Sequence, residues 1–273
     1  MPNYISVHLA ERPKDRIIPG KTFKIQTQPI PSASSLKDGE VIFQTLYLSL
    51  DPAMRSWLNP TRSYVPPVGI NEVMRGYGIG IIVASKCPSF PVGTYASGMC
   101  GWSEYTVLKG KHLESLDLPR GAVPTDTLGV LGLTGLTAYF GILDVGQVKA
   151  GDFVVVSGAA GATGSVVGQI AKLKGAKVLG LAGGDDKVRW LKEELGYDDA
   201  LNYKDPEFEK KFRAATKGLI DVYFDNGEFN SLFHSISNSI SVRSERAMIL
   251  TCLQSAVKSS TWLSPAPNRM PAL

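Results

Sequence analysis

The sequence predicts an α/β chain in which a β-rich first half is followed by a doubly wound parallel sheet. Three observations lead there. Residues 1–125 carry short alternating strands broken by turn signals at Lys37-Asp38-Gly39, Asn59-Pro60 and Val92-Gly93. Residues 152–226 alternate short apolar runs with helical periods, the pattern of strand–helix–strand crossovers. Within that second stretch a glycine-rich turn, SGAAGATG at 157–164, sits directly between a strand and a helix.

A chain of 273 residues, 44% hydrophobic and 20% charged, is long enough for two domains with ordinary soluble cores. Boundaries are expected at 125/126 and 226/227, with residues 227–273 forming an irregular tail. Lys and Arg number 29 against 25 Asp and Glu, a net +4 too mild and too evenly spread for a nucleic-acid partner. No apolar run is long enough to span a bilayer, and MPNYISVHLAERPKDR lacks a signal core, so a cytoplasmic protein is expected. Cys87, Cys100 and Cys252 show no CxxC spacing, and only His8, His112 and His234 join them, so no metal site is expected.

In chain order, residues 41–50, 76–84 and 102–108 read as strands of a compact, partly closed β-domain. Pro124-Thr125-Asp126-Thr127 marks its end, and LGVLGLTGLTAYFGIL at 128–143 reads as a buried helical segment. Phe153-Val154-Val155-Val156 is too short and too β-branched for a helix and reads as a buried strand. Val166, Val167, Ile170, Ala171 and Leu173 then recur at helical spacing up to Gly175. A strand over 177–182, a helix over 186–195, a short strand over 200–203, a charged helix over 207–216 and a strand over 220–226 complete the series.

The turn after the first of these strands reads AxGxxG, with Ala159 where the first glycine of a dinucleotide fingerprint usually stands. Gly161 lets backbone N–H groups approach a pyrophosphate, Gly164 lets the helix pack close, and the helix N-terminus offers unpaired donors. The following strand ends in Gly183-Gly184 rather than in the acidic residue that binds NAD ribose hydroxyls. A small, uncharged strand end with Lys187 nearby suits a 2′-phosphate, hence NADP(H); the alternative is a solvated first-turn lysine with Asp185 as cap. Gly158, Gly161, Lys187, Tyr203 and Asn226 fall at carboxyl ends of strands, where such sheets bind ligands. For Tyr203 and Asn226, simple packing and turn capping stand as equal alternatives.

The chain resembles the zinc-independent medium-chain dehydrogenases/reductases of the prostaglandin reductase, leukotriene B4 12-hydroxydehydrogenase and alkenal double-bond reductase group. The resemblance spans about residues 3–226 and rests on LSLDPAMRSWL (48–58), VMRGYGIGIIVASK (73–86), SGMCGWSEYTVL (97–108), residues 131–175, LAGGDDKVRWL (181–191), NYK (202–204) and DVYFDN (221–226). It implies a GroES-like β-domain and a Rossmann domain, the latter incomplete here. It implies NADPH contacts at Gly161, Ala162, Thr163, Gly164, Lys187, Tyr203 and Asn226, to which the reading of the glycine turn adds Gly158 and Ala159 as cofactor-binding candidates. It further implies hydride transfer to the β-carbon of α,β-unsaturated ketones and aldehydes, with a donor on the carbonyl oxygen. Met54, Arg55 and Tyr64 would then face the substrate side, with Tyr64 the favoured carbonyl donor. The family often dimerises through edge strands of the nucleotide domain, a homodimer doubtful for this chain. A non-catalytic NADPH-binding protein, an inactive product of incomplete splicing and a quinone oxidoreductase are the rival expectations.

After Asn226 the sequence leaves the family pattern, and residues 231–264 are serine-rich without period. Asn226-Gly227-Glu228-Phe229 is encodable with an intron-start sequence. Residues 257–273, re-read in a shifted frame, permit the family-like GEILDMALSRAKPHARF. The expectation is a translated intron over about residues 227–256, an unpaired sheet edge, exposed apolar surface, poor stability and weak cofactor binding.

Overall fold

β-Branched and aromatic residues at alternate positions, broken by glycine and proline, set the strands of the first half. A computed structural model of the chain describes residues 2–61, 65–217 and 220–226. It divides into two compact units, the first ending at Leu128 and the second beginning at Gly129. Tyr64 and residues 227–273, for which an irregular course was expected, lie outside the described residues.

In the first unit, β1 (Asn3–Leu9) and β2 (Phe23–Pro29) form an antiparallel pair. A five-stranded antiparallel sheet follows: β3 (Glu40–Leu48), β4 (Tyr77–Ser85), β5 (Tyr95–Met99), β6 (Tyr105–Lys109) and β7 (Leu113–Ser115), in the order β6-β3-β4-β5-β7. Val41, Phe43, Ile82, Phe90, Ala96, Cys100 and Leu113 fill one core. Leu9, Met54, Leu58, Val68 and Met74 fill a second. The strand expected at 102–108 starts only at Tyr105. Before it, Trp102 and Ser103 are drawn across to β1, where Val7 N–H donates to Trp102 O (2.8 Å) and Ser103 bridges Ser6. His8 is a satisfied core histidine, with Nδ1 2.8 Å from Asn71 O and Nε2 2.9 Å from Ser6 Oγ.

The second unit carries a four-stranded parallel sheet of β8 (Phe153–Val156), β9 (Lys177–Ala182), β10 (Asp199–Asn202) and β11 (Val222–Phe224), in the order β10-β9-β8-β11. Period-two alternation splits its side chains. Val154, Val156, Val178, Val222 and Phe224 face a core completed by α2 (Ala162–Leu173) and α3 (Asp185–Glu193). Val155, Leu179, Leu181 and Tyr223 face α4 (Phe208–Ala215), which supplies Phe208 and Phe212. Helices on both faces make the sheet doubly wound. Its order reverses at β8, so the crevice between the carboxyl ends of β8 and β11 is the switch point where such sheets bind ligands.

The segment expected as a buried helix over 128–143 is corrected. α1 (Leu133–Phe140) is helical and runs into a π turn, Gly141–Val145, but only Gly135, Ala138, Gly141 and Ile142 are buried. These small residues and Ile142 form a single seam, while Leu133, Leu136, Tyr139 and Phe140 lie off it and are exposed. A helix packed along one side buries one stripe, and this sequence is apolar over more than a stripe.

Candidate functional site

The crevice is built by a glycine turn whose backbone geometry calls for glycine at Gly158 and Gly164. Ser157 N–H donates to Phe224 O (3.0 Å), the last rung between β8 and β11. Gly158 then enters the left-handed region (φ +54°), which bends the chain out of the sheet. Gly164 passes so close that a Cβ there would lie 2.4 Å from Gly158 O and 2.8 Å from Ala159 Cα. Ala159 is buried and its N–H donates to Leu181 O (3.0 Å), which ties the turn to β9.

Gly161 caps α2 and has no side chain to bond the first-turn donors. The N–H groups of Ala162, Thr163 and Gly164 therefore have no intrahelical acceptor and no side-chain cap. With the helix dipole they form a positive, hydrogen-bonding end suited to a phosphate. A Cβ at Gly161 would fall 3.1 Å from Gly158 O and 3.8 Å from Asn226 Nδ2, so the absence of a side chain keeps the cradle open. Tyr197 braces it from behind: its hydroxyl donates to Gly164 O (2.7 Å), and a Cβ at Gly168 would lie 2.0 Å from that hydroxyl. Burial pushes the Tyr197 phenol far above its ordinary pKa, so it stays a neutral donor.

At the end of β9, Gly183 and Gly184 present no carboxylate. A Cβ on Gly183 would meet the Tyr203 hydroxyl at 2.5 Å, and one on Gly184 would meet Asp186 Oδ1 at 2.5 Å. Asp185 is held by Asn202 Nδ2 at 2.8 Å. Lys187, in the first turn of α3, is exposed, and its ammonium makes no hydrogen bond or ion pair to another described residue. Lys204 Nζ lies 6.0 Å from the Tyr203 ring centre, a second cation beside that strand end.

At the end of β11, Asn226 places its carboxamide against the turn: Nδ2 lies 3.9 Å from the position of a Cβ on Gly158. Thus Gly158, Ala159, Gly161, Ala162, Thr163, Gly164 and Asn226 are brought together, with Lys187 and Tyr203 at the neighbouring strand ends. Sequence reasoning missed Ser157 and Asp225. Ser157 Oγ donates to the buried Asp225 Oδ1 (2.5 Å) and accepts from Asn226 N–H (2.9 Å). The only signal was a polar residue closing each apolar strand, SG after VVV and DN after VYF.

The substrate-side residues stand differently. Met54 is buried in the second core of the first unit, 7% exposed. Arg55 Nη1 donates to Asn59 Oδ1 (2.8 Å), and Nη2 to Asp15 O (3.1 Å) and Pro13 O (3.2 Å). Both sit in the 3-10 turn Pro52–Leu58, which Asp51 caps. Tyr64 lies outside the described residues.

The N-terminal domain family of oxidoreductases matches residues 6–116, and the family described as zinc-binding dehydrogenase matches residues 162–249. Among the described residues no three His, Cys, Asp or Glu side chains come together to hold a metal. Escherichia coli NADPH-dependent curcumin reductase is 37% identical over 269 residues, 97% of this chain and 74% of that one. YfmJ of Bacillus subtilis is 44% identical over 221 residues, 81% of this chain. The chain spans only 63% of YfmJ's length. The crystal structure of CurA from Vibrio vulnificus in complex with NADPH superposes with a TM-score of 0.82 at 35% identity, over 97% of this chain and 76% of that one.

A β-rich unit followed by a parallel sheet with a glycine turn at its switch point is the architecture of the two-unit medium-chain dehydrogenases/reductases. The chain belongs to the zinc-independent medium-chain dehydrogenase/reductase family, in the group of the prostaglandin, curcumin and 2-alkenal reductases.

Proposed function

We infer that the chain binds NADP(H) at the carboxyl end of the parallel sheet and serves the reduction of the C=C bond of α,β-unsaturated ketones and aldehydes. The observation that carries the reading is the open, uncapped N-terminus of α2 over a turn that no side chain fills. The names of the curcumin reductase and of the CurA–NADPH complex support the cofactor. In this reading, Ala162, Thr163 and Gly164 N–H groups hold the pyrophosphate and Asn226 faces it. Lys187 holds the 2′-phosphate, with Tyr203 beside it. Gly183 and Gly184 put no carboxylate at the end of β9, where an NAD binder usually carries one.

When bound, the cofactor supplies a hydride. Reduction of an enal adds that hydride at the β-carbon and a proton at the α-carbon, while the carbonyl oxygen carries the developing charge. The residues named here bind and orient. Met54 and Arg55 are engaged within their own unit and Tyr64 is not described, so no chemical step is placed on them.

The test is consumption of NADPH by the purified 273-residue chain with a 2-alkenal, with the saturated aldehyde identified as product. Turnover without saturated product, or with a quinone alone, would refute the enone reading. Lys187→Ala should raise the NADPH Kd about 10- to 100-fold, the worth of a charge-assisted contact to phosphate. NADH binding should not change. Equal loss of both cofactors would remove Lys187 from the 2′-phosphate site.

A further inference from the structure

A parallel sheet loses its ladder where one strand turns away, and here the turning strand leaves at Gly158. Asn226, two residues past the end of β11, would then have an N–H with no rung to bond. The Ser157 side chain supplies that rung: its hydroxyl oxygen accepts from Asn226 N–H at 2.9 Å, one step beyond the last backbone bond, Ser157 N–H to Phe224 O. The same hydroxyl spends its proton on Asp225 Oδ1 at 2.5 Å, so its lone pairs are aimed at Asn226. Asp225 is 3% exposed and Ser157 fully buried, so water does not compete for either bond. Neighbouring Tyr223 stays neutral: burial first, then the Asp225 charge, push its phenol up to about 12.

We propose that Ser157 is a positioning residue: its hydroxyl, aligned by Asp225, fixes the Asn226 backbone so that the Asn226 carboxamide faces the glycine turn at the place of the pyrophosphate. This rests on the dinucleotide reading above. It adds that cofactor affinity is set by a side chain that itself touches no cofactor. Replacing Ser157 frees the Asn226 N–H, and the carboxamide 3.8–3.9 Å from the Gly161 and Gly158 Cβ positions loses its fixed point.

The experiment is a double-mutant cycle on NADPH binding by the full chain, with 2′-AMP as a probe that reaches Lys187 but not the pyrophosphate. Asn226→Ala should weaken NADPH about tenfold, and Ser157→Ala about three- to tenfold, the range of one buried hydrogen bond. The double variant should bind no more weakly than Asn226→Ala, because Ser157 acts through Asn226. Ser157→Thr, which keeps the hydroxyl, should restore affinity, and 2′-AMP binding should stay within about twofold throughout. If Ser157→Ala does not fold, the pair Ser157→Ala with Asp225→Ala, which also removes the stranded carboxylate, carries the same expectation. Independent, multiplying losses in the cycle, no loss at all, or an equal loss of 2′-AMP would each overturn the positioning role. A folded wild-type chain that binds neither NADPH nor 2′-AMP would instead overturn the cofactor reading, and this inference with it.

Discussion

At the amino end of the parallel sheet, acidic side chains take up the backbone donors. Asp221 Oδ2 accepts from Phe153 N–H (2.8 Å), Asp198 Oδ2 from Val178 N–H (2.7 Å) and Asp152 Oδ2 from Lys149 N–H (2.8 Å). At the carboxyl end the opposite holds. Gly158, Gly161 and Gly164 bring no side chains, and the first donors of α2 go without a cap. An end whose donors are already bonded contributes stability and has nothing left for a ligand. An end whose donors are kept free is less well satisfied alone and gains when an anion arrives. Hydrogen-bond capacity left unused, more than residue type, distinguishes the two ends.

The largest way to break this contrast is to fill the open end. Gly164→Ala puts a Cβ 2.4 Å from Gly158 O and 2.8 Å from Ala159 Cα, both backbone atoms that cannot swing aside. The turn must move away from α2, and overpacking of this kind costs about 1–3 kcal/mol or more. NADPH binding should fall by more than about 100-fold, since the donors lose their alignment. Urea unfolding and NADPH titration read the two effects separately. Wild-type affinity in this variant would show that the turn is not the phosphate cradle.

A substitution at the other end should separate stability from binding. Asp221→Ala leaves Phe153 N–H, at the first residue of β8, without its acceptor. The expected cost is about 1–2 kcal/mol in unfolding free energy, the price of one unsatisfied, half-buried donor. NADPH affinity should remain within about twofold, because the carboxyl end is untouched. A large loss of affinity would mean that the two ends are coupled through β8, against the contrast drawn above.

How far the sequence reveals such features depends on how local their causes are. The glycine turn was legible because strand, turn and helix lie within residues 153–173 and each states its need in adjacent residues. The alternation of strand and helix from 153 to 226 was legible for the same reason. The partnership of Ser157 with Asp225 was not, because it joins residues 68 apart across a sheet pairing. Arg55 looked available in sequence, yet Pro13 and Asp15, some 40 residues earlier, take its guanidinium. Residues 128–143 read as buried from apolar content alone, and content does not say which stripe of a helix is packed. Gly135, Ala138 and Ile142 are buried here, while Leu133 and Leu136 are exposed.

The smallest expected effect is a pH dependence at the amino end. Asp198 feels burial, which raises its carboxyl pKa. The hydrogen bonds from Lys172 Nζ (2.7 Å) and Val178 N–H (2.7 Å) outweigh this and hold it below the ordinary carboxylate range. A carboxyl lowered in the folded state binds its proton more readily when unfolded. Its contribution is therefore fully present above the unfolded value, about 4, and is lost as pH falls through the lower folded value. The side chain is 41% exposed, so screening keeps this contribution below about 1 kcal/mol. Asp198→Asn should thus lower the urea midpoint slightly and evenly between about pH 7 and pH 5, and the gap from wild type should close below about pH 4. A gap that widens in acid would reverse the sign of the Asp198 shift. A gap that persists unchanged would assign its role to the neutral hydrogen bond at Val178 alone.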